Sequence, residues 1–477
     1  MAFETIIGLE IHAELKTKTK IFCSCSTEFG KEANHNTCPI CLGIPGTLPV
    51  LNKEVVALAI KAGTALNCKI NKLNKMDRKN YFYPDLPKAY QTSQFDLPIC
   101  SGGGINIDVN GTSKFVRLNR IHIEEDAGKL VHDEEKGVSL IDYNRVGVPL
   151  AEIVTEPDMR SPEEAVTFLK TLRSILQYAD VSDCKMEQGS LRVDVNLSVR
   201  EKGKNEFGTR TEMKNLNSFK AVKRAIITES KRQIEVIKSG KEVLLETRKW
   251  DDIKCESSAM RKKESAKDYR YFPDADLPKI FITDDFINEV KSKMNKLPDE
   301  IKSEIISKYG FTKKEVDILT ESKTLIELFE NTNLICNNPK EVLNIILGEV
   351  LRLVGEAQIY ADDLKISSDK LAEIINMSQN GEINRTTAKK LIEELFYNDI
   401  EPKKYVYEND LYMITDEKEI ENRVKKVFEK NKNLISDYKS GNIKIKKFFV
   451  GEAMKEFKGR AEPKLINKII DDLFSKI

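Results

Sequence analysis

The alternation of apolar and polar residues is clearest at positions 191–200, where it predicts a β-strand with two unlike faces. Successive side chains of a strand point in opposite directions, so one set must enter a core while the other faces water or a cleft. The apolar set is Leu191, Val193, Val195, Leu197 and Val199, and the polar set is Arg192, Asp194, Asn196, Ser198 and Arg200. A shorter pattern at positions 8–15 predicts a second strand, in which Glu10 and His12 share one face.

The pattern changes character along the chain. Strand and turn patterns, mixed with a few helices such as the one that Ser161 begins, occupy the first ~290 residues. Beyond that point glycine becomes sparse and helices rich in Lys, Glu, Ile and Leu take over. A further boundary is expected near Pro402, followed by a small helical unit in which Phe449, Ala453 and Phe457 form an apolar stripe.

Length, charge and apolar content indicate where the protein works and how many domains it has. The chain has 477 residues, a formal net charge of +1 and no run of 18 apolar residues, so we expect a cytoplasmic protein of several domains without a membrane span. The N-terminus has no basic segment followed by an apolar one, so no signal peptide is expected. Positive charge is concentrated in residues 438–477, which either bind phosphate groups or form a solvated helical face.

Two acidic–histidine clusters are the strongest candidates for chemistry. The first contains Glu10 and His12, and the second contains His122, Glu124 and Asp126 at the same two-residue spacing. Two carboxylates 4 Å apart repel each other by about 4 kcal/mol at an effective dielectric near 20. If the clusters meet, they need protons, basic side chains or a divalent cation; the alternative is a polar strand face in water.

The cysteines at the N-terminal end suggest a second kind of site. Cys23 and Cys25 are separated by twelve residues from Cys38 and Cys41. Two close thiol pairs joined by a short loop are typical of a tetrahedral zinc site, although one intervening residue in the first pair is fewer than usual. We expect structural zinc, with an iron–sulfur cluster or free thiols as alternatives.

Residues 77–91 form a loop rich in aromatic and cationic residues, partly repeated at 268–274. Such a loop either stacks bases and holds phosphates or fastens itself onto a core. Glu152 lies in an apolar run, where a carboxylate must be paired or bind metal. These features suit metal-dependent phosphoryl transfer, and equally suit a noncatalytic RNA-binding subunit.

The motifs together resemble the B subunit of the tRNA-dependent aspartyl/glutamyl amidotransferases. The resemblance includes the segment Gly8-Leu9-Glu10-Ile11-His12 and extends over nearly the whole chain, in segments 77–91, 122–129, 142–158, 187–200, 214–219, 268–273 and 449–455. It implies an α+β fold: an N-terminal mixed α/β cradle at 1–293 with a largely antiparallel sheet, an all-helical domain at 294–405 and a C-terminal helical, tRNA-binding tail at 406–477.

The resemblance also implies an activity. Members use ATP and Mg²⁺ to phosphorylate the side-chain carboxylate of Glu-tRNA(Gln) or Asp-tRNA(Asn), and then amidate it with ammonia from a glutaminase A subunit; a small C subunit clasps A to B. The alternative is a noncatalytic tRNA-binding scaffold. Because some members lack the cysteine quartet, zinc is not expected to take part in the chemistry.

Carried onto this chain, the resemblance suggests metal and phosphate ligands. The first choice of metal ligands is Glu10, His12 and Glu125, and the second is Glu124, Glu152 and Asp194. A histidine ligand would suit Mn²⁺ better than Mg²⁺. If the strand stays regular, Glu124 and Glu125 point in opposite directions. The expected phosphate partners are Lys79, Lys88 and Arg192.

Overall fold

A computed structural model of the chain describes residues 2–133, 135–262, 268–439, 444–457 and 459–475. It divides into two compact units, Met1–Ile301 and Lys302–Ile477. The first combines sheets with helices and the second is helical, so the α+β fold class is confirmed. The finer division of the second unit near residue 405 stays a prediction.

The first unit contains seventeen strands and four complete helices in the part of the chain described. The strands are β1 Phe3–Glu14, β2 Lys69–Ile70, β3 Leu73–Asn74, β4 Asp77–Asn80, β5 Tyr90–Ser93, β6 Cys100–Ser101, β7 Gly104–Val109, β8 Thr112–Glu125, β9 Lys129–Asp133, β10 Val138–Asp142, β11 Pro149–Thr155, β12 Leu191–Glu201, β13 Thr211–Lys214, β14 Glu246–Asp251, β15 Glu256–Lys262, β16 Phe272–Pro273 and β17 Ile280–Phe281. The helices are α1 Lys53–Ala65, α2 Pro162–Tyr178, α3 Phe219–Lys238 and α4 Asp284–Ser292.

One large sheet organises this unit. Its strands follow the order β15-β14-β13-β12-β1-β11-β8-β6-β2, with β7 also paired to β8. All these pairings are antiparallel except β13 with β14, which confirms the largely antiparallel sheet. The predicted strand at 191–200 is β12, and the one at 8–15 belongs to β1, at the centre of the sheet.

The alternation of residues in β1 gives the sheet one apolar face that is buried and one polar face. Ile7, Leu9, Ile11 and Ala13 are buried in the core, together with apolar residues of α1, α2 and α3. Burying a side chain such as leucine or isoleucine contributes about 1.5–3 kcal/mol. Glu10 and His12 therefore point to the face opposite that core. As predicted, Ser161 caps α2 by accepting a hydrogen bond from the Glu164 amide.

Glu229 is a fully buried carboxylate between α3 and the sheet. It accepts hydrogen bonds from Thr211 Oγ1 at 2.8 Å and from Arg232 Nε at 2.8 Å, and Arg248 Nε lies 3.5 Å away. Burial alone would raise its pKa, but these donors and cations outweigh burial and hold the pKa below its ordinary value of 4.5. The ion pair is thus part of the folded state.

We expect Glu229→Gln to lower the free energy of unfolding by about 3 kcal/mol at pH 7, because it removes the charge of a fully buried carboxylate on which the partly exposed Arg232 and Arg248 converge. A carboxyl whose folded pKa is depressed stabilises the fold above its unfolded pKa and loses that effect as pH falls through the folded value. Urea denaturation should therefore show the difference from the unaltered chain intact at pH 7 and shrinking below pH 4.5. Glu163→Gln is the matched control: Glu163 pairs with Lys223 at 2.9 Å while half exposed, so its loss should cost less than about 1 kcal/mol.

The second unit consists of helices. They are α5 Pro298–Tyr309, which begins in the first unit, then α6 Lys313–Leu319, α7 Lys323–Cys336, α8 Pro339–Ile345, a π-helical turn Ile346–Val350, α9 Leu351–Ala357, a 3₁₀ turn Ala361–Asp363, α10 Ser368–Gln379, α11 Arg385–Asn398, α12 Pro402–Glu408, α13 Glu417–Lys430, α14 Lys432–Lys439, α15 Lys444–Glu456 and α16 Pro463–Ser475. The predicted stripe of Phe449, Ala453 and Phe457 is fully buried, in a core shared by α13, α15 and α16. Within the described ranges, no helix combines the length and apolar character needed to cross a membrane.

Candidate active site

The polar face of the large sheet brings four charged side chains into one row. The register pairs Arg192 with His12, His12 with Glu152, and Glu152 with His122 across β12, β1, β11 and β8. Directly paired residues in a sheet project from the same face, so these side chains are neighbours although they are far apart in sequence. Glu124 lies on the same face, two residues beyond His122.

His12, Glu124 and Glu152 form the tightest group in this row. His12 Nε2 lies 3.5 Å from Glu124 Oε1 and 3.4 Å from Glu152 Oε2. His122 Nε2 approaches Glu152 Oε2 to 3.1 Å, and Ser93 Oγ donates to Glu124 Oε2 at 3.2 Å. The ligand atoms of His12, Glu124 and Glu152 all lie within 4.8 Å of one another, so the three residues could hold a metal ion. We refer to these three residues as the histidine–carboxylate cluster.

The charges in and around this cluster shift the pKa values of its members. Burial alone would lower the pKa of His12, but Glu152 and Glu124 outweigh it and raise that pKa above 6.5. For the same reason the pKa of His122 is raised to about 9. Burial would raise the pKa of Glu152, yet the two histidines hold it well below its ordinary value. The carboxylates therefore favour protonated imidazoles in the absence of an ion, and a bound cation would take over the role of those protons.

Lys79 adds a further positive charge beside the cluster. Burial would lower its pKa, but Glu124 and Glu152, together with Tyr271, raise it. Its Nζ lies 5.0 Å from the ring centre of Tyr269, a cation–π distance. Of the three expected phosphate partners, Lys79 and Arg192 thus act on the histidine–carboxylate cluster, since Arg192 pairs with His12 in the register and its charge reaches His12 and Glu124.

A second group of acidic residues lies next to the histidine–carboxylate cluster on the polar face of the sheet. Ligand atoms of Glu10, Asp194 and Glu212 are also within 4.8 Å of one another. Lys214 Nζ contacts Asp194 and lies 3.3 Å from Glu212, and Asn196 donates to Glu10 at 2.8 Å. This group is therefore already partly neutralised by a lysine.

Glu125 lies apart from both groups. Its Oε1 accepts from Lys88 Nζ at 2.5 Å and from the Thr92 amide at 2.7 Å. The pairing of β8 with β11 shifts register near Leu118 but is regular from Arg120 to Glu125, so Glu124 and Glu125 make contacts on different sides of the strand. Glu125 and Lys88 line a cavity of about 270 Å³ that extends to Cys41.

The structure thus distributes the expected ligands over three places. His12 joins Glu124 and Glu152, Glu10 joins Asp194 and Glu212, and Glu125 joins Lys88. Arg192 is held by Asp126, at 2.9 Å. The assignment of Glu10, His12 and Glu125 to one ion stays a prediction.

Glu212 and Lys214 were not among the expected site residues. The polar run Thr211-Glu212-Met213-Lys214-Asn215 at a strand end is the sequence signal that could have indicated them. Only the register of β13 beside β12 shows that the two side chains reach Asp194.

The four cysteines also converge. The sulfur atoms of Cys23, Cys25, Cys38 and Cys41 lie within 4.8 Å of one another, and all four thiols are free. A hydrogen bond from Cys23 and the nearby charge of Lys20 lower the pKa of Cys41 to about 5. Lys20 is fully buried, with its Nζ 3.7 Å from the Cys41 sulfur. A set of four convergent thiols, one of them readily ionised, suits a tetrahedral soft-metal site.

Comparison with known proteins shows the family to which the chain belongs. Residues 5–288 match the GatB/GatE catalytic domain family, and residues 327–474 match the GatB domain family. The B subunit of the aspartyl/glutamyl-tRNA(Asn/Gln) amidotransferase of Lachnoclostridium phytofermentans is 52% identical over 474 residues, 99% of each chain. The corresponding B subunits of Caldicellulosiruptor bescii and Thermoanaerobacter pseudethanolicus are 52% and 50% identical over 480 and 476 residues, 100% of each chain.

The first unit, with its charged groups on one sheet face, is therefore a catalytic domain of the GatB/GatE class. The whole chain belongs to the family of amidotransferase B subunits, which are components of a ligase.

Proposed function

We propose that the chain activates the side-chain carboxylate of Glu-tRNA(Gln), Asp-tRNA(Asn) or both with ATP, and then converts it to the amide with ammonia. The observation that carries this proposal is the buried histidine–carboxylate cluster beside Lys79 on the polar sheet face. The names of the relatives supply the tRNA substrates and the amidotransferase reaction.

The chemistry explains why such a site is needed. A carboxylate is a poor acyl donor, because oxide would have to leave. Transfer of the terminal phosphoryl group of ATP forms a carboxyl–phosphate bond and releases ADP; ammonia then forms the C–N bond and phosphate leaves. Several anions must be held together during this transfer, so cationic groups have to neutralise them.

The donor set fits a divalent cation. His12, Glu124 and Glu152 would hold Mg²⁺ or Mn²⁺, since they supply two carboxylates and one imidazole in reach of a single point. The ion would neutralise charge on the transferring phosphoryl oxygens. Lys79 would hold a phosphate near the histidine–carboxylate cluster, and Glu10, Asp194 and Lys214 would position the substrate on the neighbouring part of the sheet.

The names of the relatives describe one subunit of a larger enzyme, and the family resemblance suggests which partners complete it. Ammonia would come from a glutaminase A subunit, and a small C subunit would join the two; the complex would work in the cytoplasm, where aminoacyl-tRNA is used. The cysteine quartet would hold a structural Zn²⁺, because four thiolates leave no open coordination position for catalysis.

The decisive experiment supplies the purified chain with ATP, Mg²⁺, ammonia and Glu-tRNA(Gln), and measures ADP and Gln-tRNA(Gln). The proposal requires ADP formation that depends on the misacylated tRNA. A noncatalytic scaffold, the alternative that the sequence leaves open, would form no ADP.

We further propose that the C-terminal helices hold the body of the tRNA. Lys464 and Lys468 are exposed on α16. Replacing both with alanine should raise the Kd for tRNA several-fold at 0.15 M salt and reduce the slope of log Kd against log salt by about 1–2, because two phosphate contacts are lost. Lys370→Ala is the control: Lys370 lies on α10, outside the tail, and pairs with both Asp399 and Glu401 at 2.9 Å. Filter binding at several salt concentrations measures both quantities, and equal slopes in all chains would contradict a role of α16 in binding.

A further inference from the structure

An open cleft lies at the edge of the large sheet, outside the histidine–carboxylate cluster. Its volume is about 750 Å³, within the roughly 300–1,000 Å³ of typical small-ligand sites. The cleft is bordered by parts of β2, β6 and β8 and by the loop that follows β5; its lining includes Lys69, Lys72, Phe95, Ser101, Asn119 and Arg120. We call it the Phe95 cleft.

An aromatic stack forms one wall of the cleft. The ring of Phe95 lies parallel to that of Tyr271, with centres 4.4 Å apart and an interplanar angle of 7°. Phe95 is 39% exposed although Tyr271 covers one face, so its exposed area belongs to the remaining face and edge. Tyr271 in turn contacts the edge of Tyr269, which lies next to Lys79. A planar ring placed on Phe95 would extend a stack that leads towards the active-site lysine.

The charge of the cleft is positive. Lys69 is exposed, and the pair that Lys72 makes with Asp284, at 2.7 Å, lies on the surface and is weak in water. Arg120 Nη1 donates to the carbonyl of Phe95 at 3.0 Å, which fixes the loop that carries the ring. Among the described residues that line the cleft, the carboxylate of Asp96 is held by Lys75 at 2.5 Å.

The cleft adjoins the candidate active site through β8. Arg120 and His122 are two residues apart on that strand and share a face, so their Cα atoms are separated by about 7 Å. A ligand that spans this distance can occupy the cleft at one end and reach the histidine–carboxylate cluster at the other.

We propose that the Phe95 cleft binds the single-stranded, aminoacyl-carrying end of the tRNA, with a base stacked on Phe95 and phosphates near Lys69, Lys72 and Arg120. Single-stranded RNA is bound by this combination of exposed aromatic faces and cations. The inference rests on the proposed function, since it assigns a place to the substrate of that reaction. The alternative occupant, the ATP substrate, is disfavoured because Lys69 lies on β2, two strands farther from the histidine–carboxylate cluster than β8, whereas the triphosphate of ATP would have to extend towards that cluster.

The test uses the full chain and a tRNA whose terminal adenine is replaced by 2-aminopurine, a base whose fluorescence falls when it stacks. The unaltered chain should quench the fluorescence. Phe95→Ala should abolish the quenching and raise the Kd about tenfold, as expected for one lost base–aromatic stack, whereas Phe95→Trp should retain both. Lys69→Ala combined with Lys72→Ala should lower the salt slope by about 1–2.

Phe207→Ala is the matched control, because Phe207 is another exposed aromatic residue beside an arginine, 5.6 Å from Arg200. It should leave quenching and Kd unchanged. Full quenching by Phe95→Ala would overturn the proposal, and so would a loss of ATP binding without a loss of tRNA binding. Failure of the proposed function would look different: the unaltered chain would form no ADP while its tRNA fluorescence still responded to Phe95→Ala.

Discussion

Glu152→Gln should lower the rate of ATP-dependent carboxylate activation by about 100- to 1,000-fold, the effect of removing one well-placed electrostatic partner of a transition state. The substitution keeps the size of the side chain but removes the charge that His12 and His122 approach at 3.4 and 3.1 Å. The affinity for tRNA should stay within about twofold, because Glu152 is largely buried and makes no phosphate contact in the proposed binding mode. Rapid-quench measurement of ADP in the presence of misacylated tRNA gives the rate.

Glu125→Gln should be measured beside it, because Glu125 belongs to the ligand trio expected from the sequence. In the structure its carboxylate is engaged by Lys88 and the Thr92 amide. If Glu125→Gln removes activation while Glu152→Gln leaves it unchanged, the ion is held by the expected trio and our grouping of His12, Glu124 and Glu152 fails. Glu163→Gln, on the outer surface of α2, controls for the loss of a charge.

Cys41→Ala should destabilise the first unit by about 3–5 kcal/mol, the cost of breaking a buried charge pair. The reason is Lys20, which has no exposed surface and whose ammonium lies 3.7 Å from the Cys41 sulfur. Without that thiolate the buried ammonium keeps, within the part of the chain that the structure describes, the carbonyl groups of Asn36 and Tyr143 as partners. Urea unfolding of metal-free protein measures this effect.

The same variant tests the proposed zinc site. Metal analysis should find one zinc ion per unaltered chain and none per Cys41→Ala chain, because a tetrahedral site needs its fourth ligand. Cys255→Ala is the control, since Cys255 is exposed and lies outside the quartet. An unaltered chain that binds no zinc, combined with full stability of Cys41→Ala, would contradict both the zinc site and the buried charge pair.

The sequence predicted the fold better than it predicted the grouping of the site residues. Alternation along β12 and β1 showed which side chains would be buried, because that property depends only on the period of a strand. The convergence of the four cysteines could also be predicted, since a short loop keeps the two pairs close. The register between strands that are distant in sequence could not be predicted in this way. The residues around His12 do not show that it pairs with Glu152 and not with a residue two positions away.

Glu125 shows most clearly which contacts could not be predicted from the sequence. The sequence placed it next to Glu124, and regular alternation allowed only one of them to face His12. The structure favours Glu124, because Lys88 and Thr92, more than thirty residues earlier in the chain, provide Glu125 with partners elsewhere. Such competition between partners is a property of tertiary structure, so no local pattern could reveal it.

The central position of β1 also restricts how this protein can evolve. The strand pairs on both sides over part of its length, and its odd and even positions serve the core and the charged face respectively. Insertion or deletion of one codon within it would exchange those roles, and a bulge could not absorb the change without breaking one of the two ladders. Natural variation in chain length should therefore be confined to the loops, while β1 tolerates only replacement of one residue by another.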